Sequence, residues 1–481
     1  MAKSVTNINF SRHIQNQHHY KTQSYTMRTK IVSILALVFF MNANAQEKKW
    51  TLQECVNYAL DHNISVKQQE LSKDLVEEDI TIAKGNFYPS LNSSATQNWN
   101  FGSYIDNYGG RVSRDSRSNS FGLNSNVMLY NGNRNKNNLL QVQKSLEAAG
   151  FDLEENKNGI MLYVVNFYLN VLLNKESLII AQDQIEISKK QVEKANTLVE
   201  AGSKPKAILL EAEASLAANE QQLTTAKNTL DLSLLSLAQL LQVSHKGFDV
   251  QDVALTIDSA SLIYNDTDVI YDKAVSSLPE IKSAEIAVER SQIAIEIAKG
   301  AYYPSLSFGA GLGTSYQHNQ GDKDVRPIID SNNNVVYVPN GFGKQLEDNL
   351  GYNFGFSLNI PIFNRFQTKS SVSKAQINQE IASLQLQDKQ VKLRETIEKA
   401  YADAKAALDQ YISAEKSLKA QNESYKNAQV SYDSGVMTSF DFDQVRNRLV
   451  NAQSSLANAK YNFVFRTKLL EYYLGIPIVL E

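Results

Sequence analysis

Two rhythms of apolar and polar residues alternate along this chain. In "SLSFGAGLGTSY" (305–316) the even positions are Leu306, Phe308, Ala310, Leu312, Thr314 and Tyr316, and every odd position is Ser or Gly. The stretch 353–363 repeats the habit, with Phe354, Phe356, Leu358, Ile360 and Ile362 set against Asn353, Gly355, Ser357 and Asn359. Earlier, Phe121, Leu123, Ser125, Val127 and Leu129 alternate with Gly122, Asn124, Asn126 and Met128, and 91–101 alternates more weakly up to Trp99 and Phe101. A period of two over about ten residues predicts strands, here at about 89–104, 119–131, 304–317 and 351–363.

The other rhythm is helical. No proline interrupts 134–200, whose only glycines are Gly150 and Gly159, and 367–433 contains neither residue type. These spans predict helices over 134–200 and 366–433, each ~100 Å long at ~1.5 Å per residue. Return helices are expected over 205–242 and 439–474. In the first, Leu209, Leu216, Leu223, Leu230 and Leu237 recur every seven residues; in the second, Phe442, Leu449, Leu456, Phe463 and Leu470 do. Small residues such as Ala212, Ala226, Ala452 and Ala459 follow three positions later. That is the seam of a coiled coil, although an ordinary antiparallel bundle shows the same positions. The turns between long and return helices carry Gly202 and Gly435, suited to left-handed helix caps, and Pro205, suited to a first helical turn.

The chain also repeats itself. "IAKGNFYPSLNSS" from residue 82 returns as "IAKGAYYPSLSFG" from residue 297, an offset of 215. "FGLNSNVMLYNG" from 121 faces "FGFSLNIPIFNR" from 354, an offset of 233 that then holds through Tyr168/Tyr401, Gly202/Gly435 and Leu216/Leu449. The change of offset, 233 − 215 = 18, puts 18 extra residues into a loop at about 317–350. A tandem duplication accounts for this, with a first repeat at 46–265 and a second at 266–481. Pro89 and Pro304 mark the step from helix to strand in each.

Composition narrows the setting. With 48 basic and 51 acidic residues the net charge is −3, so there is no nucleic-acid footprint. Cys55 is the single cysteine, which excludes an intrachain disulfide and a cysteine zinc cluster. From Met27 the text reads as a secretory signal: Arg28 and Lys30, the apolar stretch Ile31 to Met41, then Ala43-Asn44-Ala45 before Gln46. The expectation is a signal peptide at 27–45, cleaved, with residues 1–26 an over-extended start. Such an apolar stretch is too short for a membrane helix, which needs ~20 residues. No HExxH, Walker loop, GxSxG or triad spacing occurs, and His62, His245 and His318 lie far apart. No enzyme, cofactor or metal site is expected.

The strands have the length of tilted membrane strands, ~9–11 residues, with aromatic ends such as Tyr88, Trp99, Tyr130, Tyr303 and Tyr352. Half of a soluble sandwich would alternate in the same way. The Ser, Gly and Asn of the polar face suit a wet lumen better than a solvated surface, and the export signal favours the same reading. Four strands cannot close a barrel, since the smallest membrane barrels have about eight, and an open edge cannot sit in lipid. Several chains must therefore share one barrel: two would supply eight strands, three twelve.

With its duplicated helix–strand–strand–helix–helix unit, the "FYPSL" and "YYPSL" steps, "LNIPIFN" and "YDSGVMTSFDFDQ", the chain resembles the TolC-type outer membrane efflux protein family over about 49–477. The resemblance implies an α+β membrane protein: a homotrimer with a transmembrane β-barrel, four strands per chain, continued by a long α-helical coiled-coil barrel. It implies an outer membrane channel spanning the periplasm, the passive exit duct of a tripartite efflux or type I secretion system. The partners implied are a periplasmic adaptor (membrane fusion) protein, an inner-membrane RND or ABC transporter, and outer membrane lipid. Tyr432, Gly435 and Asp441 match the family's pattern at the periplasmic aperture, while Gln444 replaces an acid and Met437 an arginine. Asp441, Gln444 and Arg448 fall on one helical face. Three copies of Asp441 would form a cation-favouring ring; as a helix N-terminal acid Asp441 would instead answer the helix dipole, and both roles stand open. Gly202 and Gly435 would mark the tips that meet the adaptor. The competing reading is a soluble periplasmic coiled-coil structural or adaptor protein. The transported solute and the particular pump are not legible.

Overall fold

The computed structural model describes residues 49–105, 107–113, 115–253, 266–476 and 478. The expected signal at 27–45, residues 1–26 before it and the stretch 254–265 lie outside them. The first half runs β1 (Lys49–Trp50), α1 (Leu52–His62), α2 (Ile64–Gly85), β2 (Ser90–Asn100), β3 (Ser103–Ile105), β4 (Arg111–Ser113), β5 (Ser116–Asn131), α3 (Arg134–Glu200), α4 (Lys206–Leu241) and β6 (Asp249–Val250). The second runs α5 (Thr267–Ser277), α6 (Pro279–Gly300), β7 (Ser305–Asn319), β8 (Val325–Ile329), β9 (Val335–Pro339), α7 (Phe342–Asp348), β10 (Gly351–Asn359), α8 (Gln367–Asp433) and α9 (Ser439–Tyr473). No helix among the described residues is long and apolar enough to cross a membrane.

Local chemistry sets the helix ends. Thr51 caps α1 in a reciprocal box with Glu54, satisfying two donors that a helix start leaves open. Asn63 ends α1 and starts α2: its Oδ1 accepts from Ser65 N at 2.8 Å while its Nδ2 donates to Leu240 O at 3.2 Å. Pro279 opens α6, where its missing N–H costs nothing. Pro205 is the N-cap of α4 rather than part of its first turn; its extended ψ of 151° lets the chain turn before the helix begins.

Long and return helices pair as α3 with α4 and α8 with α9. The seven-residue seam faces the long partner: Leu237, Phe442, Leu449, Phe463 and Leu470 are buried. Nearer the sheet, α2, α3, α6 and α8 lie side by side in that order, and towards the far end the order is α4, α3, α9, α8. Where the layers meet, Tyr168 is fully buried, and its hydroxyl donates to Trp50 O at 3.2 Å and Gln251 O at 2.8 Å. Burial pushes that hydroxyl far above its usual range. Lys175 clasps the adjacent β1–β6 pair, reaching Asp249 at 2.7 Å and Asp252 at 2.9 Å. Burial raises the Asp252 carboxyl, but hydrogen bonds from Lys175 and Lys49 outweigh it and hold the group below its usual range.

The main sheet is antiparallel with the order β10-β7-β5-β2. Both halves pair in the same register: Asn92 faces Asn124, and the residues at the two sequence offsets, Ser307 and Ser357, also face each other. Three expected spans are corrected. β2 stops at Asn100, and after a break at Phe101 and Gly102 the chain enters the small β3–β4 hairpin at Ser103. β5 begins at Ser116, ahead of 119. β10 stops at Asn359 rather than 363, because Pro361 brings no N–H to the ladder. The enlarged loop holds the β8–β9 hairpin and α7, which packs Phe342 on Tyr316 at 5.0 Å.

Strand passes into long helix through two left-handed residues in each half, Gly132 (φ 69°) and Asn133 (φ 61°), then Arg365 (φ 52°) and Phe366 (φ 61°). Those pairs are 233 residues apart. Gly and Asn accept this backbone readily; Arg and Phe do so at ~1–2 kcal/mol each. Gly132 also abuts Gly300 at the end of α6, where a Cβ on either would overlap the other's backbone carbonyl. Gly132→Ala is therefore expected to destabilise the chain by ~1–3 kcal/mol. Gly150→Ala, in mid-helix with open space around it, should be neutral or stabilising by up to ~1 kcal/mol. Thermal unfolding of the two variants in detergent checks the contrast.

Candidate functional site

Two features of this fold invite function: the far helical tip and the open lateral edges. At the tip α3 and α8 both end in a left-handed glycine. Gly202 N donates to Val199 O at 2.9 Å and Ser203 N to Leu198 O at 3.0 Å; Gly435 N donates to Tyr432 O at 3.1 Å and Val436 N to Ser431 O at 2.9 Å. These paired bonds satisfy the last carbonyls of each helix. With φ of 68° and 76° and nothing within 4 Å of a built Cβ, both glycines are there for backbone freedom rather than for space. The second turn exposes Val436 (83%) and Phe440 (68%), an apolar knob at the end of a charged hairpin.

Asp441 lies in the first turn of α9. Its N–H donates to Thr438 Oγ1 at 3.2 Å and its Oδ2 accepts from the same hydroxyl at 2.7 Å. It thus serves the helix start, and its carboxylate is exposed. Gln444 and Arg448 are exposed on the same face, with Arg448 Nε donating to Gln444 O at 3.4 Å. Tyr432 is not brought to that face. It stacks on Phe442 at 4.6 Å, and the Lys194 ammonium of α3 sits 4.2 Å from its ring centroid. Lys194 also pairs with Asp433 at 3.0 Å. Tyr432 is a packing residue that joins α8, α9 and α3. Pro89 and Pro304 sit immediately before β2 and β7.

The residue that sequence reasoning missed is Arg446, 2% exposed. Its Nη1 donates to Gln191 Oε1 at 2.6 Å and Ser188 Oγ at 3.3 Å on α3. Its Nη2 donates to Ser215 Oγ on α4 at 3.1 Å and pairs with Asp443 at 3.1 Å. Gln191 Nε2 donates to the same Asp443 oxygen at 3.1 Å. Burial pushes the nearby Tyr425 hydroxyl up. The signal was present: Arg446 sits one turn from both Phe442 and Leu449 on the buried face of α9, where an arginine must find partners. The gap between α3, α4 and α9 also holds a cavity of about 250 Å³ of mixed lining, with Asn174, Asn219 and Asn447 beside Ile180, Ala226 and Val450. Close to the tip the two hairpins are thus joined by a polar network, while farther along Tyr461 and Val464 of α9 enter the apolar core of the first hairpin.

The lateral edges are bare. β2 and β10 end the sheet order and are exposed along their whole length. On the same two sides stand α2 and α8. On α2, Ile64, Leu71, Leu75 and Ile82 are 57–71% exposed; on α8, Ile377, Ile381, Leu384 and Val391 are 47–60% exposed. Each set falls at helical spacing, so each edge helix carries an unpartnered apolar stripe.

The family described as "Outer membrane efflux protein" matches residues 55–242 and 270–475. Outer membrane protein TolC of Vibrio cholerae is 21% identical over 427 residues, spanning 88% of this chain and 90% of that protein. The cation efflux system protein CusC of Escherichia coli O157:H7 is 20% identical, spanning 84% of this chain and 82% of that protein. Among solved structures, outer membrane protein VceC of Vibrio cholerae superposes with a TM-score of 0.69 at 16% identity, covering 88% of this chain and 96% of that one.

Truncating one member of a buried charge network costs ~3–5 kcal/mol. Arg446→Ala should therefore lower the thermal unfolding midpoint clearly. Arg448→Ala, on the exposed face, should shift stability by no more than ~0.5 kcal/mol.

Proposed function

This chain belongs to the outer membrane efflux protein family, and on that footing we propose that it is an outer membrane channel, the exit duct of a tripartite efflux or type I secretion system. Three copies share one twelve-stranded barrel and continue it as an α-helical tube across the periplasm. The carrying observation is the four-stranded sheet with bare edges at β2 and β10, flanked by the stripes on α2 and α8. In lipid, unpaired edge groups cost several kcal/mol each, and the two adjacent copies supply the missing neighbours, one at each edge.

The join inside one chain suggests the join between copies. Within the chain β5 pairs with β7, Asn124 opposite Gly311, while α3 packs on α6. Under tandem duplication the equivalent partners are β10 with the next copy's β2, and α8 with the next copy's α2. Carrying the register across the two offsets, 124 + 233 and 311 − 215, sets Ser357 opposite Thr96 of the neighbour. The open space around Gly85, the counterpart of Gly300, receives the neighbour's Arg365–Phe366 step.

A signal peptide at 27–45 directs export and is removed. The turns at Gly202 and Gly435 meet the periplasmic adaptor, Val436 and Phe440 supplying apolar contact. An RND or ABC transporter in the inner membrane supplies the energy, so the duct is passive and not an enzyme. Asp441, Gln444 and Arg448 line the periplasmic aperture, where three Asp441 carboxylates favour cations; Tyr432 supports them from the packed side.

In a Cys55→Ala background, Thr96→Cys with Ser357→Cys is expected to oxidise between copies and give a ladder ending at three in outer membrane fractions. Ser94→Cys with Ser357→Cys, out of register, should not. A single soluble chain without detergent and without the ladder would mean a periplasmic coiled-coil or adaptor protein instead. Asp441→Ala should reduce cation selectivity and block by multivalent cations in planar bilayers; unchanged currents remove Asp441 from the aperture.

A further inference from the structure

The sheet has two faces of different chemistry, and the polar one shows an unusual omission. One face presents Leu306, Phe308, Leu312, Phe354 and Phe356 with their paired neighbours. The other presents the alternate positions from Ser90 to Asn100, from Ser116 to Asn126, from Ser305 to Asn319 and from Gly351 to Asn359. Every residue in those four sets is Ser, Thr, Asn, Gln or Gly. Met128, past Asn126 and next to the bulge in β5, is the one apolar intruder on that face.

Not one of these positions is charged, although charged residues make up 21% of the chain. A water-facing surface ordinarily carries ~25–35% Lys, Arg, Glu and Asp. The face is not apolar either: it offers hydroxyl and amide groups, each able to donate and accept. Some of these groups meet directly, as Thr96 Oγ1 and Ser120 Oγ do at 2.6 Å, and others approach over glycine. Asn124 and Asn353 flank Gly311, at which a Cβ would lie 2.6 Å from Asn353 Oδ1 and 2.9 Å from Asn124 Oδ1. Gly311 thus leaves the space that the two amides share.

We infer that the barrel section of the duct is a charge-free, hydrogen-bonding wall that passes solutes of either sign without electrostatic discrimination, so that any charge selection occurs in the helical tube or at its tip. The inference rests on the reading of this sheet as one third of a closed barrel. A fixed carboxylate or cation on a narrow wall would raise the local concentration of one sign of solute and hold it. A wall of dipoles that can turn to meet either sign exchanges hydrogen bonds with water and solute at little net cost. The solute class it suits is polar and hydrogen-bonding, with net charge left free.

The test reads the potential at the wall directly. Ser357→Cys and, as a second site, Ser307→Cys are introduced singly into full-length Cys55→Ala protein in outer membranes. Each is treated from the exterior with a cationic and an anionic methanethiosulfonate of similar size. The expected result is reaction with both reagents, at rates that match within a few-fold after correction for a free thiol. Phe356→Cys, on the opposite face, should not react. A preference of roughly tenfold or more for either sign, or silence at both wall positions, overturns the inference. The duct reading itself stands or falls separately, on the Thr96–Ser357 cross-link between copies.

Discussion

A sheet edge in lipid has no solvent to fall back on. Every unpaired N–H and C=O must find a backbone partner, and this chain brings a four-stranded sheet whose first and last strands in space, β2 and β10, have no partner on their outer sides among the described residues. In the proposed barrel the rest of the architecture answers to that constraint. Because the outer strands are also those next in sequence to α2 and α8, the edges of sheet and helical layer coincide, and one contact between copies can satisfy both. The apolar stripes on α2 and α8 have the same address.

Each half of the chain resolves the change from strand to helix in the same way, through two left-handed residues. In the first half Gly132 and Asn133 meet this at little cost; in the second Arg365 and Phe366 carry strain that the surroundings must hold. The tight Gly132–Gly300 crossing is an internal seam, filled within one chain. Its counterpart at Gly85 is open. The asymmetry follows if the halves alternate round a ring, because only every second seam can then lie inside a single chain.

Charge is distributed with the same economy. The sheet's polar face carries none, while the helical half buries one arginine in full. Arg446 is tolerable there because Gln191, Ser188, Ser215 and Asp443 all turn towards it. Such a network contributes geometric definition more than net stability. It fixes α9 against α3 and α4 close to the tip, with Lys194, Asp433 and Tyr432 as a second tie. Apolar knobs are forgiving of small slips; the hydrogen bonds around Arg446 are not.

Periodicity alone determined most of what is regular here. Alternation marked a strand at about 304–317, which folds as Ser305–Asn319, and the absence of proline marked the long helices, because both signals arise from the local geometry of a strand or a helix. The repeated text at residues 82 and 297 likewise pointed to two equivalent units. Ends were legible only where a residue imposes its own backbone, as Gly202 and Gly435 do; β10 stops early at Asn359 because pairing, not alternation, defines a strand. Only the folded chain decided which residues meet. Tyr432 shares a motif with Asp441 yet packs against Phe442 and Lys194, and the position of Arg446 one turn from Phe442 and Leu449 pointed to a buried face but not to its partners Ser188, Gln191 and Ser215, more than 200 residues away in sequence. Such contacts depend on how two hairpins pack, and no local pattern encodes that.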